Sequence, residues 1–298
     1  MQTSVQTVLA ATDFSEHAER AVQRAARLAA ERRARLCLLH VVDPSGFHAI
    51  GQWLTPTLDV GVTFVTQAQA ALDAQAQALR ERHGIEVEAR VVTGDPLEET
   101  RDAAAQADLL VLGAQGVHPV RALVVGTTAD RLLRKSVRPL LVVKQDAGRA
   151  YRRVLVPVDF SPYSVAALQA ALALAPQAAV EVFHVFDTSY EGKLRLAGVG
   201  DSDIIEHRVR ARQDALERLN ALVAGLGTDA QRISVAVDHG DVPMLLQHRV
   251  EQFAPDLVAI GKHGQSFMED LLLGSVTRHV VAESACDVLV VPRGAGQG

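Results

Sequence analysis

Cysteine is scarce in this chain: of 298 residues only Cys37 and Cys286 are cysteines, one in each half. That excludes a disulfide framework, and since both fall on or beside apolar runs they read as reduced packing residues, consistent with cytoplasm. A basic excess is missing as well. Thirty Lys and Arg face 35 Asp and Glu, a net charge of −5, and neither half stands apart, which argues against a nucleic-acid backbone as partner. No apolar run is long enough to span a bilayer and the N-terminus shows no signal-peptide pattern, so the expectation is a cytoplasmic protein without a membrane partner. Signatures of catalysis are absent too. There is no Gly-x4-Gly-Lys-Ser/Thr phosphate loop, no Gly-x-Ser-x-Gly nucleophile elbow and no His-x-Gly-His or Ser-Gly-Gly-x-Asp adenylation motif. The histidines lack the spacing of a zinc site. No catalytic and no metal-ligating residue is therefore expected.

What the chain does have is a glycine pattern, Gly-x2-Gly-x9-Gly-Ser/Thr, written twice. The first copy is Gly113, Gly116 and Gly126-Thr127; the second is Gly261, Gly264 and Gly274-Ser275. Each follows an apolar run, Asp108-Leu109-Leu110-Val111-Leu112 or Asp256-Leu257-Val258-Ala259-Ile260, that reads as a buried parallel strand. Each ends where a helical pattern begins. Glycine lets the backbone approach a ligand closely, and a helix N-terminus presents N–H groups that favour an anion, so the arrangement suits a phosphate cradle. The competing reading is that these glycines only serve turn geometry.

The glycine pattern belongs to a larger duplication. Val8-Leu9-Ala10-Ala11-Thr12-Asp13-Phe14-Ser15 returns as Val154-Leu155-Val156-Pro157-Val158-Asp159-Phe160-Ser161, about 146 residues later. Leu39-His40-Val41-Val42-Asp43 returns as Phe183-His184-Val185-Phe186-Asp187, and Gly94-Asp95-Pro96 as Gly240-Asp241-Val242. Periodicity predicts strand 5–12, helix 16–32, strand 35–42, helix 62–83, strand 87–93, helix 95–107, strand 108–113, helix 127–137 and strand 139–144, then the same order again. Strands alternating with helices imply an α/β fold: two tandem doubly wound domains, each a five-stranded parallel sheet in the order 3-2-1-4-5 flanked by helices. The expected domains are 1–146 and 151–294, with Gln145-Asp146-Ala147-Gly148-Arg149 as linker.

In such a sheet ligands bind beyond the carboxyl ends of the strands, where strand order reverses. With strands one and four adjacent, Asp13 and Asp159 share a crevice with the glycine loops, and each aspartate is placed to accept from a ribose hydroxyl or a base. The alternative for Asp-Phe-Ser is helix capping, with Ser15 and Ser161 as the caps. His40 and His184 read as satisfied core histidines. Lys262 and His263, inside the second loop, are either phosphate contacts or solvated loop side chains. Phe47, Trp53 and Pro56, after strand two, read as a flap near the site or as a loop anchor.

These residues together resemble the universal stress proteins, and the resemblance, to a tandem of two such domains, covers nearly the whole chain. It implies an adenine-nucleotide site, with ATP, ADP or AMP as ligand and Mg²⁺ a companion of its phosphates. In ATP-binding members the glycine loop holds ribose and phosphates, and the strand-one aspartate and the end of strand two hold the adenosine. Carried over residue by residue, this implies Asp13, Val41, Gly113, Gly116, Gly126 and Thr127 in the first domain. In the second it implies Pro157, Asp159, Val185, Gly261, Gly264, Gly274 and Ser275.

The chain departs from the family pattern in its first half, where Ala11 replaces the strand-one proline. After the second glycine stand Val117-His118-Pro119 in one loop and Gln265-Ser266-Phe267 in the other. The second domain is accordingly expected to bind nucleotide at least as tightly as the first. The function implied is a nucleotide-binding stress sensor or regulatory module that signals to an unidentified protein partner. Its rivals are a nucleotide-free interaction scaffold and a weak ATP-hydrolysing enzyme. The last strands, Leu140-Leu141-Val142-Val143 and Val288-Leu289-Val290-Val291, are apolar enough to need covering. Pairing them within one chain gives a pseudo-dimer, and pairing between chains a homodimer.

Overall fold

The structure, a computed structural model, describes residues 5–45, 60–115, 126–186, 191–264 and 273–293. The chain divides into two compact units, with the boundary between Ala150 and Tyr151.

In the first unit, β1 (Thr7–Ala11), β2 (Arg35–Val42), β3 (Val87–Thr93), β4 (Leu109–Gly113) and β5 (Leu140–Val143) form a sheet in the order β3-β2-β1-β4-β5. Every pairing within it is parallel. The helices α1 (Glu16–Arg32), α2 (Val60–His83), α3 (Pro96–Ala104) and α4 (Thr127–Lys135) alternate with the strands. Covered on both faces, the central strands carry unbroken apolar runs: Val8, Leu9 and Ala10 of β1 and Leu109 to Leu112 of β4 are all buried. The helix α2 turns Leu72, Ala76 and Leu79 inward, a stripe at i, i+4 and i+7.

The second unit repeats this with β6 (Arg153–Pro157), β7 (Ala179–Phe186), β8 (Ile233–His239), β9 (Leu257–Gly261) and β10 (Asp287–Val291), in the order β8-β7-β6-β9-β10 and again parallel throughout. Its helices are α5 (Pro162–Leu174), α6 (Glu191–Leu196), α7 (Asp201–Ala224), α8 (Val242–Phe253) and α9 (Ser275–Glu283). Both sheets thus have the expected 3-2-1-4-5 order. Two elements go beyond the sequence reading, α6 and a 3-10 turn over Gly227–Arg232 that leads into β8. The first is fastened by Glu191, buried at 8% exposure, which accepts from Nε and Nη2 of Arg208 on α7.

The same end-fixing devices occur in each unit. Ser15 and Ser161 cap α1 and α5 by accepting from Ala18 N and Ser164 N, each at 3.2 Å. Asp95 accepts from Leu97 N and Glu98 N, and Asp241 from Met244 N, so the Gly-Asp pair after the third strand is a helix start. That places Asp95 just before α3 rather than inside it. Asp108 accepts from Gln6 N and Thr7 N, and Asp256 from Arg152 N and Arg153 N, which ties the fourth strand's entry to the first strand's.

Residues 145–149 are bound down along α1. Arg24, 3% exposed, donates to Arg149 O at 2.8 Å and Asp146 O at 3.1 Å, while Arg27 donates to Ala147 O and Gly148 O. Arg20 adds an ion pair to Asp146 at 3.1 Å. The segment therefore packs as part of the first unit. Replacing Arg24 by Met, which keeps the apolar stem, is expected to leave these carbonyls without their charged donor and to lower stability by about 2–3 kcal/mol in a urea titration.

Candidate functional site

At the carboxyl end of each sheet the chain makes one turn twice. Phe14 and Phe160 adopt φ of 62° and 63°, left-handed values that cost a side-chain-bearing residue about 1–2 kcal/mol. Local bonds hold the turn: Ser15 N donates to Asp13 Oδ1 and Ser161 N to Asp159 Oδ1, both at 3.0 Å. Behind it, His40 Nδ1 pairs with Thr12 O at 2.8 Å and His184 Nδ1 with Val158 O at 2.6 Å. The phenyl rings lie against these imidazoles, with centroids 4.5 Å apart for Phe14 and His40 and 4.7 Å for Phe160 and His184. The histidines are thus satisfied, as their apolar strands suggested, but they sit half-buried at the sheet's end rather than in its core.

The glycines divide by role. Gly113 and Gly261 end β4 and β9, and a side chain on either would meet the first helix. A Cβ on Gly113 would stand 2.7 Å from His17 C, and one on Gly261 2.7 Å from Tyr163 Cβ. These two glycines therefore permit close helix–strand packing, the structural reading of the motif. Gly264 is different. A Cβ there would stand 2.9 Å from Asp159 Oδ2, so the second glycine of the loop lies directly against the strand-one carboxylate. Gly126 and Gly274 open α4 and α9, and their N–H groups return to the start of each loop, to Ala114 O at 2.9 Å and to Lys262 O at 3.1 Å. No side chain caps either helix, in contrast to the Ser caps of α1 and α5 and the Asp caps of α3 and α8. Thr127 and Ser275 follow with exposed side chains. Two helix N-termini of the kind that attract anions thus face the ends of the fourth strands.

Val41 lines a cavity of about 380 Å³ in the first unit, together with Phe14, His40, Asp43, Phe64 and Ala68. Asp13 stands exposed beside it, outside the lining. Val185 and Pro157 are half-buried. Gly116 lies outside the described residues, as do Val117, His118, Pro119, Gln265, Ser266 and Phe267 and the candidate flap at Phe47, Trp53 and Pro56.

Lys262 and His263 are buried, at 6% and 5% exposure, so the reading of solvated loop side chains is set aside. Tyr163 meets His263 edge-on at 5.1 Å. Arg218 from α7 places its guanidinium 3.8 Å over the Phe160 ring. Neither Tyr163 nor Arg218 could be picked out from the sequence, because each reaches the site through tertiary packing alone. Burial, with help from Arg218, holds the His184 imidazole below its ordinary pKa of 6.5, opposed by the bond to Val158 O and by Asp159. The Cys37 thiol is pushed up to about 11 by burial and by Glu88, which makes it a poor nucleophile. Cys286 is buried, and neither cysteine is in a disulfide. Among the described residues no group of three or more His, Cys, Asp or Glu is placed to hold a metal ion, and no helix is long and apolar enough to cross a membrane.

The duplicated sheet with glycine-opened helices defines a class, and comparison with known proteins gives the family. The model of the universal stress protein family matches residues 4–144 and again 150–292, so the chain belongs to that family, with two copies of its domain. A universal stress protein of Mycolicibacterium smegmatis is 27% identical over 298 residues, covering 95% of this chain and 96% of its own length. Universal stress protein A of Photorhabdus laumondii is 29% identical over 145 residues, 48% of this chain and 96% of that protein. The crystal structure of a universal stress protein from Archaeoglobus fulgidus is similar in fold, with a TM-score of 0.71 at 20% identity over 97% of this chain and 98% of that one.

Two measurements check this account. Gly261→Ala is expected to cost about 1–3 kcal/mol of stability through the clash with Tyr163, whereas Gly148→Ala, with nothing within 4 Å, loses none. The His184 imidazole should titrate below 6.5 by NMR and move upward in Arg218→Gln. Because the folded form disfavours the proton, the unfolded chain binds more protons below 6.5. His184 therefore makes stability fall on acidification through that range, and His184→Gln removes this component.

Proposed function

We propose that this universal stress protein binds an adenine nucleotide, ATP being the form that the family resemblance implies, and serves in the cytoplasm as a sensor rather than a catalyst. The observation that carries the reading is the placement of Gly264. A Cβ on Gly264 would stand 2.9 Å from Asp159 Oδ2, so the missing side chain keeps the space beside that carboxylate clear. The same loop leads into α9, whose N–H groups no side chain caps. A carboxylate to receive hydroxyl donors and a helix N-terminus to receive phosphate are what a nucleotide needs at its two ends.

In the first domain Val41 and the Phe14 ring offer an apolar slot for a base, and Gly126 with Thr127 opens the anion-attracting helix. In the second domain Asp159, Gly264, Gly274 and Ser275 would hold the ligand, with Val185 at the strand-two end. Any Mg²⁺ arrives with the phosphates. Binding would order the crevice mouth, and a ligand shifts a protein only through its different affinity for alternative conformations. That ordered surface is what a protein partner would read.

Acid extraction of the purified protein, followed by nucleotide chromatography, is expected to release adenine nucleotide. Gly264→Val should lower ATP affinity in the folded chain by at least about tenfold, since its side chain takes the space beside Asp159. Unchanged affinity would leave the loop a structural device, and steady phosphate release above a blank would favour the enzymatic rival.

A further inference from the structure

Another cavity of the first domain, of about 200 Å³, lies at the amino ends of its strands, away from the crevice. Cys37 of β2 and Ala103 of α3 line it, with Arg35, Glu86, Glu88 and Arg90. The duplication shows what stands at these positions in the second domain. Cys37 is the third residue of β2, and the third residue of β7 is Glu181. Ala103 follows its capping Asp95 by the same interval at which Arg249 follows Asp241. Glu181 accepts two bonds from Arg249, at 2.6 and 2.5 Å. With a thiol and a methyl group in those two places, the first domain keeps the space without the guanidinium that fills it in its sister.

Several features favour a cation there. Glu88 stands opposite Cys37 in the β2–β3 register. After burial, Glu88 does most to raise the Cys37 thiol pKa and outweighs the lowering by Arg90, so the carboxylate dominates at this wall of the cavity. The carboxyl end of α3 borders the cavity, and a helix C-terminus adds about half a negative charge. Arg35, Glu86, Glu88 and Arg90 are exposed, and among the described residues none of them forms an ion pair. A cavity of about 150 Å³ admits benzene, so this one has room for a planar guanidinium on a short stem.

We propose that the first domain carries here a further ligand site, for a small guanidinium compound that also bears a carboxylate. The guanidinium group stands where the second domain places that of Arg249, with Glu88 as its acceptor in the part that Glu181 plays there. The ligand's own carboxylate meets Arg35 or Arg90 at the rim. The second domain supplies the same group from its own α8. Exposed charge pairs contribute modestly, which sets a millimolar scale for the affinity.

The test is a titration of the full chain with L-arginine, followed at the amide resonances of Cys37 and Ala103. Both should shift and saturate with a common Kd of about 1 mM. Citrulline, in which a neutral urea replaces the guanidinium, should bind at least about tenfold more weakly, and argininamide, with its carboxylate neutralised, about threefold more weakly. Glu88→Gln should cut arginine affinity about tenfold. Cys37→Glu combined with Ala103→Arg rebuilds the second domain's ion pair inside the cavity and should abolish binding. Glu88→Gln alters an exposed side chain, so it decides the matter even where the double variant fails to fold. Shifts that do not saturate, citrulline or argininamide binding as tightly as arginine, or full arginine affinity in either folded variant overturns the proposal.

Discussion

The close contact between the end of the fourth strand and the backbone of the first helix is the constraint on which the rest of each domain depends. Gly113 against His17 and Gly261 against Tyr163 leave no room for even one methyl group. Bringing strand and helix this close sets the depth of the crevice between the first and fourth strands. It also fixes where the loop departs, and hence that Gly274 can return to bond Lys262 O and Gly126 to bond Ala114 O. The helix N-termini that attract anions are aimed by this contact. A wider spacing would move the second glycine away from the strand-one carboxylate.

Against that frame the strained turn makes sense. Phe14 and Phe160 are held at positive φ by bonds to Thr12 or by the Asp–Ser turn, and by ring contact with a histidine whose own nitrogen is fixed. Such strain persists only where the surroundings over-determine it. Here it turns the aspartate out of the sheet to the crevice mouth while Ser15 or Ser161 starts the next helix. Capping and presentation of the carboxylate, which competed as readings of Asp-Phe-Ser, are therefore served by different residues of one turn.

Much of this was legible in the sequence, for physical reasons that can be named. Parallel strands buried on both faces must be apolar throughout, so Leu109 to Leu112 and Leu257 to Ile260 announced themselves; alternation of strand and helix called for a doubly wound parallel sheet, an architecture that admits more than one strand order, and the structure has the 3-2-1-4-5 order that was expected. Helix starts were readable because Ser and Asp caps act locally. What escaped were side chains whose roles are set by distant partners. Glu181 stands at 5% exposure inside β7 because Arg249 reaches it with two bonds, at 2.6 and 2.5 Å, and no local pattern signals that. Arg218 and Tyr163 belong to the same category. The glycine motif itself was ambiguous because one residue type serves two purposes, with Gly261 packing a helix and Gly264 clearing a crevice.

The arginine row on α1 has a bearing on how the gene can be dissected. Arg24 and Arg27 use the carbonyls of Asp146, Ala147, Gly148 and Arg149. A fragment ending at residue 146 would keep the guanidinium groups and lose three of their acceptors, leaving a buried Arg24 short of a partner. A stop codon after Ala150 retains the whole set, and a second fragment beginning at Tyr151 retains the phenol that donates to the buried Asp287 at 2.6 Å. The natural cleavage point between the repeats is thus a single peptide bond, marked by which side chains claim the backbone on either side of it.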